Sequence, residues 1–583
     1  MGLTTGCTSE RTGLPSADQP WRKYFTAASA DEVLPQTTLY RYLFDCNRGE
    51  DDATALRFFG TDITYGEFFK NIRCTADGFA ALGVKPGDIV TIFSSNTPET
   101  VYCFFALNYI GAIPSMEYVT VSDKEALAAV RRNDSKVVLI LDVLLDKFAC
   151  VLAEDCVKTV VSLPLGASMP LGMRMAVRLK TRRSAHPGVT DYRSFLDGGK
   201  NTAAAEAPFC AGAPVAIVHS GGTTGSPKGV LLCAEGLIYI AWAFMQNSPD
   251  AKKHDIYMPF IPLFHAFGLG MGLMAPLSQS MTVVLTPKFD EAFLLTELRK
   301  NKPNHIMVGS SHIPTLMKDP LLRHMDLSFL KTCGFGGSKL PEVQERELAL
   351  FLAERNSPAK PSAGYGMSEL SSAVCTERNV YYGKVGSVGL PLCRANVRVL
   401  DPDTGKELGY GQSGELCFAS PGLMLGYYKN ERETADAIFT DEDGVRWLHS
   451  GDVGYVDEDG FVFITGRIKR IYSTRSERGG TLFKLFPDYV ANVIDEAEGV
   501  SQSAVVCIPH EDFRNIAVAY VVLRDGADKD AVLPMIKAHM EKELPAHAIP
   551  KDVRFLDSLP LTQIGKIDYH VLEKDAEDNK PKV

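Results

Sequence analysis

The chain has 583 residues, too many for one hydrophobic core, and its 45% hydrophobic and 23% charged residues exclude a disordered or fibrous class. With 61 Lys and Arg against 71 Asp and Glu the net charge is −10, so the basic footprint that nucleic-acid binding demands is missing. Thirteen cysteines are scattered singly from Cys7 to Cys507 with no Cys-x-x-Cys pair; they signal neither a zinc site nor a thioredoxin-like motif and read as reduced thiols in a cytoplasmic setting.

Residues 1–20 are polar and lack the apolar segment of a secretory leader. Gly6 stands where N-myristoylation wants Ser or Thr, so these residues read as a flexible tail. From there, short β-branched runs alternate with longer helical patterns. Residues 89–93, 137–141, 215–218, 281–285 and 305–308 are strand candidates, and the alternation predicts an α/β fold with largely parallel sheets. Residues 174–183 carry Arg174, Arg178, Lys180, Arg182 and Arg183 among Met and Leu. That is a solvated helix face, with a composition that also suits weak peripheral contact with anionic lipid. Residues 256–287 hold no Lys, Arg, Asp or Glu and match a membrane span in length. Pro259, Pro262, Pro276 and Pro287 divide them, so the reading is a turn, a buried Gly-rich helix at about 267–277 and a strand at 281–286.

After about residue 383 the pattern changes to short strands at 397–401, 414–419 and within 453–465, the last interrupted by the hairpin dipeptide Asp459-Gly460. Gly409-Tyr-Gly-Gln-Ser-Gly414 fits G-x-G-x-x-G. It precedes a strand instead of opening a helix and is not a dinucleotide site. Beyond the basic cluster Arg467-Ile-Lys-Arg470 lies a smaller unit with strands near 503–508 and 516–523 and a helix near 528–544. The boundary falls near Arg470, giving a large unit over 21–469 and a small one over 470–583.

The stretch 219–230, His-Ser-Gly-Gly-Thr-Thr-Gly-Ser-Pro-Lys-Gly-Val, is built for a polyphosphate. Gly221, Gly222, Gly225 and Gly229 let backbone N–H groups converge on an anion. Ser220, Thr223, Thr224 and Ser226 add hydroxyls and Lys228 adds a charge. The loop follows an apolar strand, where α/β sheets bind ligands. It is not a Walker loop, because Gly229 follows Lys228. Further on, Gly364-Tyr-Gly-Met-Ser-Glu369 offers Tyr365 to stack on a purine beside Gly366, Ser368 to bond an α-phosphate, and Glu369 to hold magnesium together with substrate phosphates. In Trp447-Leu-His-Ser-Gly-Asp-Val-Gly454, Asp452 suits both hydroxyls of a ribose.

These motifs, in this order from Ile63-Thr-Tyr-Gly-Glu67 to Lys566, resemble the adenylate-forming (AMP-binding) superfamily, and among its members medium- and long-chain fatty acyl-CoA synthetases. The resemblance implies a large N-terminal domain with mixed sheets and a distorted β-barrel subdomain, plus a small mobile α+β C-terminal domain. It implies that His265, in Pro262-Leu-Phe-His-Ala-Phe-Gly268, gates between the nucleotide and acyl pockets. Gly336 and Gly337, in Gly334-Phe-Gly-Gly-Ser338, would flank adenine. Arg467 would face ribose and phosphate, Thr223 would join Glu369 on Mg2+, and Lys566, in Leu559-Pro-Leu-Thr-Gln-Ile-Gly-Lys-Ile567, would be the catalytic lysine. Ser368 stands where relatives have Thr, which keeps the hydroxyl. The implied activity joins a carboxylic acid to AMP from ATP with release of pyrophosphate, then passes the acyl group to coenzyme A, the enzyme acting as a monomer or homodimer. Transfer to a carrier protein, or a catalytically silent nucleotide-binding relative, are the alternatives. The largest departure follows Arg470: a basic loop over 472–484, with Arg475, Arg478 and Lys484, and Pro487-Asp-Tyr-Val-Ala491 in place of an acidic stretch. That loop is expected to meet the thiol acceptor.

Overall fold

The computed structural model describes residues 11–581 apart from 27–28, 30–31, 181–185, 221–227, 249, 378–382, 476–480 and 563–565, and only the backbone of 178–180. Two sheets form the large N-terminal domain. One has eight strands, in spatial order Gly426–Tyr427, Lys228–Cys233, Pro214–Ser220, Ile113–Met116, Ile89–Phe93, Val137–Leu141, Thr159–Leu163 and Val189–Asp191. It is parallel from Pro214–Ser220 to the Val189 edge and antiparallel beyond it. The other has nine strands and is parallel from Pro361–Met367 through Thr332–Gly336, His305–Gly309, Ile256–Phe260 and Thr282–Val284 to Thr54–Phe58, with antiparallel strands at both edges. Parallel strands need cover on both faces, which is why Val137–Leu141 is buried at every position.

Helices Pro98–Tyr109 and Ala234–Asn247 are apolar nearly all round and join the same continuous core as both sheets, the pattern of a helix with no solvent face. The Ile63–Glu67 motif does a local job: Thr64 accepts from Glu67 N–H and the Glu67 carboxylate accepts from Thr64 N–H, a capping box that starts helix Tyr65–Ala81.

Residues 256–260 are a strand, not the turn expected from Pro259 and Pro262. Proline costs a ladder bond only where a neighbour waits for its N–H. On one side the neighbouring strand Thr282–Val284 is short, and the pairing stops at Tyr257↔Val283, two residues before Pro259. The Gly-rich helix is present but kinked through a π turn at Gly270–Met274, between α turns Ala266–Leu269 and Ala275–Leu277. A Cβ on Gly268 would lie 2.1 Å from Pro262 O, so only glycine fits there.

An antiparallel five-stranded sheet follows: Asn396–Leu400, Gly414–Ala419, Arg446–Val456, Ile438–Thr440 and Val462–Arg467, with the Asp459-Gly460 turn closing Val456 onto Val462 and Gly460 at φ +98°. The small C-terminal domain packs helices Pro487–Asp495, Lys529–Glu543 and Tyr569–Asp578 on the sheet Val500–His510, Arg514–Leu523, Asp552–Leu556, beside a hairpin of Tyr472–Arg475 and Leu482–Leu485. Its two hydrophobic clusters draw only on residues from Tyr472 onwards. Among the described residues no helix is long and apolar enough to cross a membrane. Helix Leu171–Lys180 exposes Leu171, Met173 and Met175.

Candidate active site

Strand Pro214–Ser220 ends where the Gly-rich stretch begins, and antiparallel Lys228–Cys233 takes the chain back, with Ser220 directly opposite Lys228. Gly221, Gly222, Thr223, Thr224 and Gly225 lie outside the described residues. Lys228 Nζ sits 2.7 Å from Glu433 Oε2 and 4.8 Å from the centre of the Tyr427 ring, so a phosphate would have to draw it from Glu433.

Beneath the loop lies a buried His–Glu pair that sequence reasoning missed. His219 is 1% exposed, and its Nε2 is 2.9 Å from Oε1 of Glu117, itself 5% exposed. Ser115 Oγ donates to the same oxygen at 2.9 Å, and Arg132 Nη2 lies 3.2 Å from it. Burial alone would raise the Glu117 carboxyl, but His219, Arg132 and Ser115 outweigh it and hold it at about 2. Next in sequence, Tyr118 donates its hydroxyl to His219 O at 2.9 Å and packs edge-on against Phe264 and His265. A glutamate in the strand-like run Ile113–Tyr118, whose only other polar residue before the tyrosine is Ser115, was the available signal.

The facing wall comes from Pro361–Met367 and the turn Ser368–Leu370. A Cβ on Gly366 would fall 1.9 Å from Ser372 O, and one on Gly336 2.8 Å from Gly364 O, so both glycines allow backbones to close up. Gly337 has φ +87°, where glycine is favoured. Tyr365 donates its hydroxyl to Asp452 Oδ2 at 2.5 Å, and Arg467 Nε reaches Asp452 Oδ1 at 2.8 Å across the register pair Asp452↔Arg467. Asp452 is 3% exposed, and its charge is the main reason the Arg467 guanidinium sits above its usual range. Tyr427 donates to Glu369 Oε1 at 2.8 Å.

The small domain closes the cleft. Lys566 is half-buried there, and its desolvation draws the ammonium below the usual lysine range; Arg467 adds to this, while Asp452 and Glu369 oppose it. Burial, reinforced by Lys566 and His219, pushes His265 down to about 3, so its imidazole is neutral at neutral pH. Lys566, Asp452, Arg467, Glu369 and His265, widely separated in sequence, therefore come together at one cleft, with Asp452 buried and Arg467 at its exposed edge. The two domains meet through polar contacts: Lys318–Asp525 at 3.0 Å, Lys484–Asp403 at 2.7 Å, Gln344 Nε2 to Ser501 O at 2.7 Å, Lys339 Nζ to Asn492 Oδ1 at 3.2 Å, and Arg524 with Glu347. Arg470 turns the other way, into the small domain. It pairs with Asp488, donates to Val505 O at 2.5 Å and stands 3.5 Å above the Tyr569 ring. In the basic loop, Lys484 is taken up by Asp403, Arg475 N–H donates to Phe513 O at 3.1 Å, and Arg478 lies outside the described residues.

The AMP-binding enzyme family model matches residues 43–428, and the AMP-binding enzyme C-terminal domain model matches 489–566. Among curated relatives, the chain is 27% identical to a long-chain-fatty-acid–CoA ligase of Bacillus subtilis (strain 168), over 97% of this chain and 99% of the relative. It is 28% identical to 4-coumarate–CoA ligase CCL1 of Humulus lupulus, over 87% and 88%. Among solved structures, ATP-bound MatB from Rhodopseudomonas palustris superposes with TM-score 0.78 at 24% identity, covering 93% of this chain and 99% of that one. The anthranilate CoA ligase AuaEII with anthranoyl-AMP gives 0.79 at 21% identity, covering 94% and 98%. Motif order, a two-domain fold and two family matches in the same order agree, and the chain belongs to the AMP-binding enzyme family.

Proposed function

We propose that the chain is an acid–thiol ligase that activates an apolar carboxylic acid with ATP and transfers the acyl group to coenzyme A. The observation that carries this reading is the meeting of Lys566 with Asp452, Arg467, Glu369 and His265 at one cleft, where Tyr365 and Arg467 already hold Asp452. The names of the relatives, a fatty-acid ligase and several coumarate ligases, support a thiol acceptor and an apolar acid, of either fatty or aryl type.

In this reading the ATP triphosphate lies along Ser220 and the Gly-rich loop, with Lys228 leaving Glu433 to meet it. Adenine rests beside Tyr365, Gly336 and Gly337, and the ribose hydroxyls bond Asp452. Glu369 fits a magnesium ion with Thr223 as second contact, because Tyr427 fixes one carboxylate oxygen and magnesium favours one or two carboxylates plus phosphates. When bound, the ion neutralises phosphate charge. The substrate carboxylate oxygen attacks the α-phosphorus as the bond to the pyrophosphate oxygen breaks, giving acyl-AMP and pyrophosphate. Lys566 and Ser368 stabilise the charge on the α-phosphate, and no protein atom becomes covalently attached. Neutral His265, wedged against Tyr118 and Phe264, closes the acyl side without adding charge. The small domain, over 470–583, then withdraws Lys566, the thiol attacks the acyl carbonyl, and AMP leaves.

Pyrophosphate release is the test. Fatty and aryl acids are screened with ATP, with and without coenzyme A, and thioester is identified by mass. Acid-dependent pyrophosphate release with thioester formed only when coenzyme A is present supports the ligase. Adenylate that forms but never passes to coenzyme A would favour a carrier-protein acceptor, and no release with any acid would favour a silent nucleotide binder.

Asp452→Ala should raise the KM for ATP by about tenfold to a hundredfold, the worth of a charged hydrogen-bond pair, with a smaller fall in kcat because ribose contacts exist in ground and transition states alike. An unchanged KM in steady-state titration would move the ribose elsewhere.

A further inference from the structure

We propose that Glu415, Cys417 and His449 form a binding site for a borderline-soft divalent cation, zinc before all others. The site sits on the five-stranded sheet. Its ligands are invisible as a motif because they come from two strands, but the register makes them neighbours. Cys417 lies directly opposite His449, and Glu415 is two residues earlier on the same face of its strand. Between these pairs the partner strand carries extra residues, Ser450 to Asp452, against Leu416 alone; this is a bulge with Gly451 at φ +69°.

The donor atoms already form a coordination triangle. His449 Nδ1 is 2.9 Å from Glu415 Oε2 and 3.5 Å from Cys417 Sγ, and all three atoms lie within 4.8 Å of one another. A tetrahedral zinc with metal–ligand distances of roughly 2.0–2.3 Å spaces its ligand atoms about 3.3–3.7 Å apart, so small side-chain adjustments suffice. The donor set discriminates between metals. Thiolate, imidazole and one carboxylate suit zinc, whereas magnesium and calcium want oxygens only.

The surroundings hold two of the ligands in place. Glu415 Oε1 accepts the Gly451 N–H at 3.1 Å, which steadies the carboxylate while Oε2 faces the triangle. The His449 ring packs on Phe439 with centroids 4.6 Å apart. Cys417 is fully buried, whereas the His449 and Glu415 side chains are 36% and 12% exposed. The cation therefore enters over the imidazole and keeps water as its fourth ligand. Without a cation, burial and then the Glu415 charge push the Cys417 thiol well up, so it is protonated. Binding forms a metal–sulfur bond and releases that proton to solvent.

Cobalt serves as the spectroscopic probe. The chelator-treated full-length protein is titrated with Co2+. The expected result is one equivalent bound with a thiolate-to-cobalt charge-transfer band and tetrahedral visible bands, both abolished by stoichiometric Zn2+ and untouched by excess Mg2+. Cys417→Ser should lose the charge-transfer band, His449→Gln should weaken binding at least about tenfold, and Cys74→Ser, at an exposed cysteine elsewhere, should behave as wild type. Circular dichroism checks that each variant folds, and His449→Gln, at a partly exposed position, provides the reading if Cys417→Ser does not. A charge-transfer band that survives Cys417→Ser, binding unaffected by His449→Gln, displacement by Mg2+, or no band in the wild type at any Co2+ concentration would overturn the site.

Discussion

Lys566→Ala is expected to cut acid-dependent pyrophosphate release by about a hundredfold or more, the scale of losing one preorganised charge at a phosphoryl centre. Thioester formation from supplied acyl-AMP should stay within about threefold of wild type, since the lysine leaves the cleft for that step. The contrast arises from position. Lys566 sits in a strand-like turn in which Thr562 N–H donates to Lys566 O at 2.6 Å and Lys566 N–H to Thr562 Oγ1 at 3.2 Å, beside the Leu561↔Ile567 bridge. It therefore travels with the small domain. Lys566→Arg keeps the charge but not the compact ammonium and should recover only part of the rate. Stopped-flow measurement of the two half-reactions separates the outcomes; equal loss in both would remove Lys566 from the adenylation pose.

Glu117→Leu should be strongly destabilising, costing about 3–5 kcal/mol, because it removes the buried carboxylate on which Arg132, Ser115 and His219 converge. Glu117→Gln keeps the shape and the bond from Ser115 and should cost less. The pH dependence has a definite sign. The carboxyl is held at about 2 in the folded chain against an ordinary value of 4.5, so its stabilising share is complete above 4.5 and is lost as pH falls towards 2. The stability gap between wild type and Glu117→Gln should therefore be flat at neutral pH and narrow in acid. Urea midpoints at a series of pH values read this directly. A gap that widened in acid would contradict the pairing. Since His219 precedes Ser220 at the mouth of the loop, the same variants should also bind ATP less tightly.

Much of this arrangement was legible in the chain because it is locally encoded. Strands Ile89–Phe93, Val137–Leu141 and Gly414–Ala419 fall where their β-branched runs place them, and helix Lys529–Glu543 lies within one residue of its expected limits. The strand Ile256–Phe260 was hidden because two prolines read as a turn, and only the length of the neighbouring strand shows that one of them is harmless. What could not be read was anything that depends on register between distant strands. Glu117 meets His219 across the eight-stranded sheet, and Glu415 and Cys417 meet His449 across the antiparallel sheet; neither spacing repeats or fits a motif. The same limit applies to the site itself. Motif order named Asp452, Glu369 and Lys566, but that Tyr365 and Arg467 already grip Asp452, and that Glu433 holds Lys228, are facts of side-chain geometry.

The guanidinium anchors on either side of residue 468 set the mechanics of the swing. Arg467 is tied upstream to Asp452, and Arg470 is tied downstream to Asp488, Val505 and Tyr569. In the proposed swing neither contributes much torsion without giving up a charge contact, which would confine the swivel to Ile468 and Lys469 and a handful of backbone dihedrals. With Arg470 they form a short 3-10 turn whose Ile468 C=O accepts from Ile471 N–H at 3.0 Å. A pivot that short behaves as an axle with a fixed direction, not as a tether. In the proposed mechanism the small domain would therefore be delivered to a second defined face instead of a cloud of orientations.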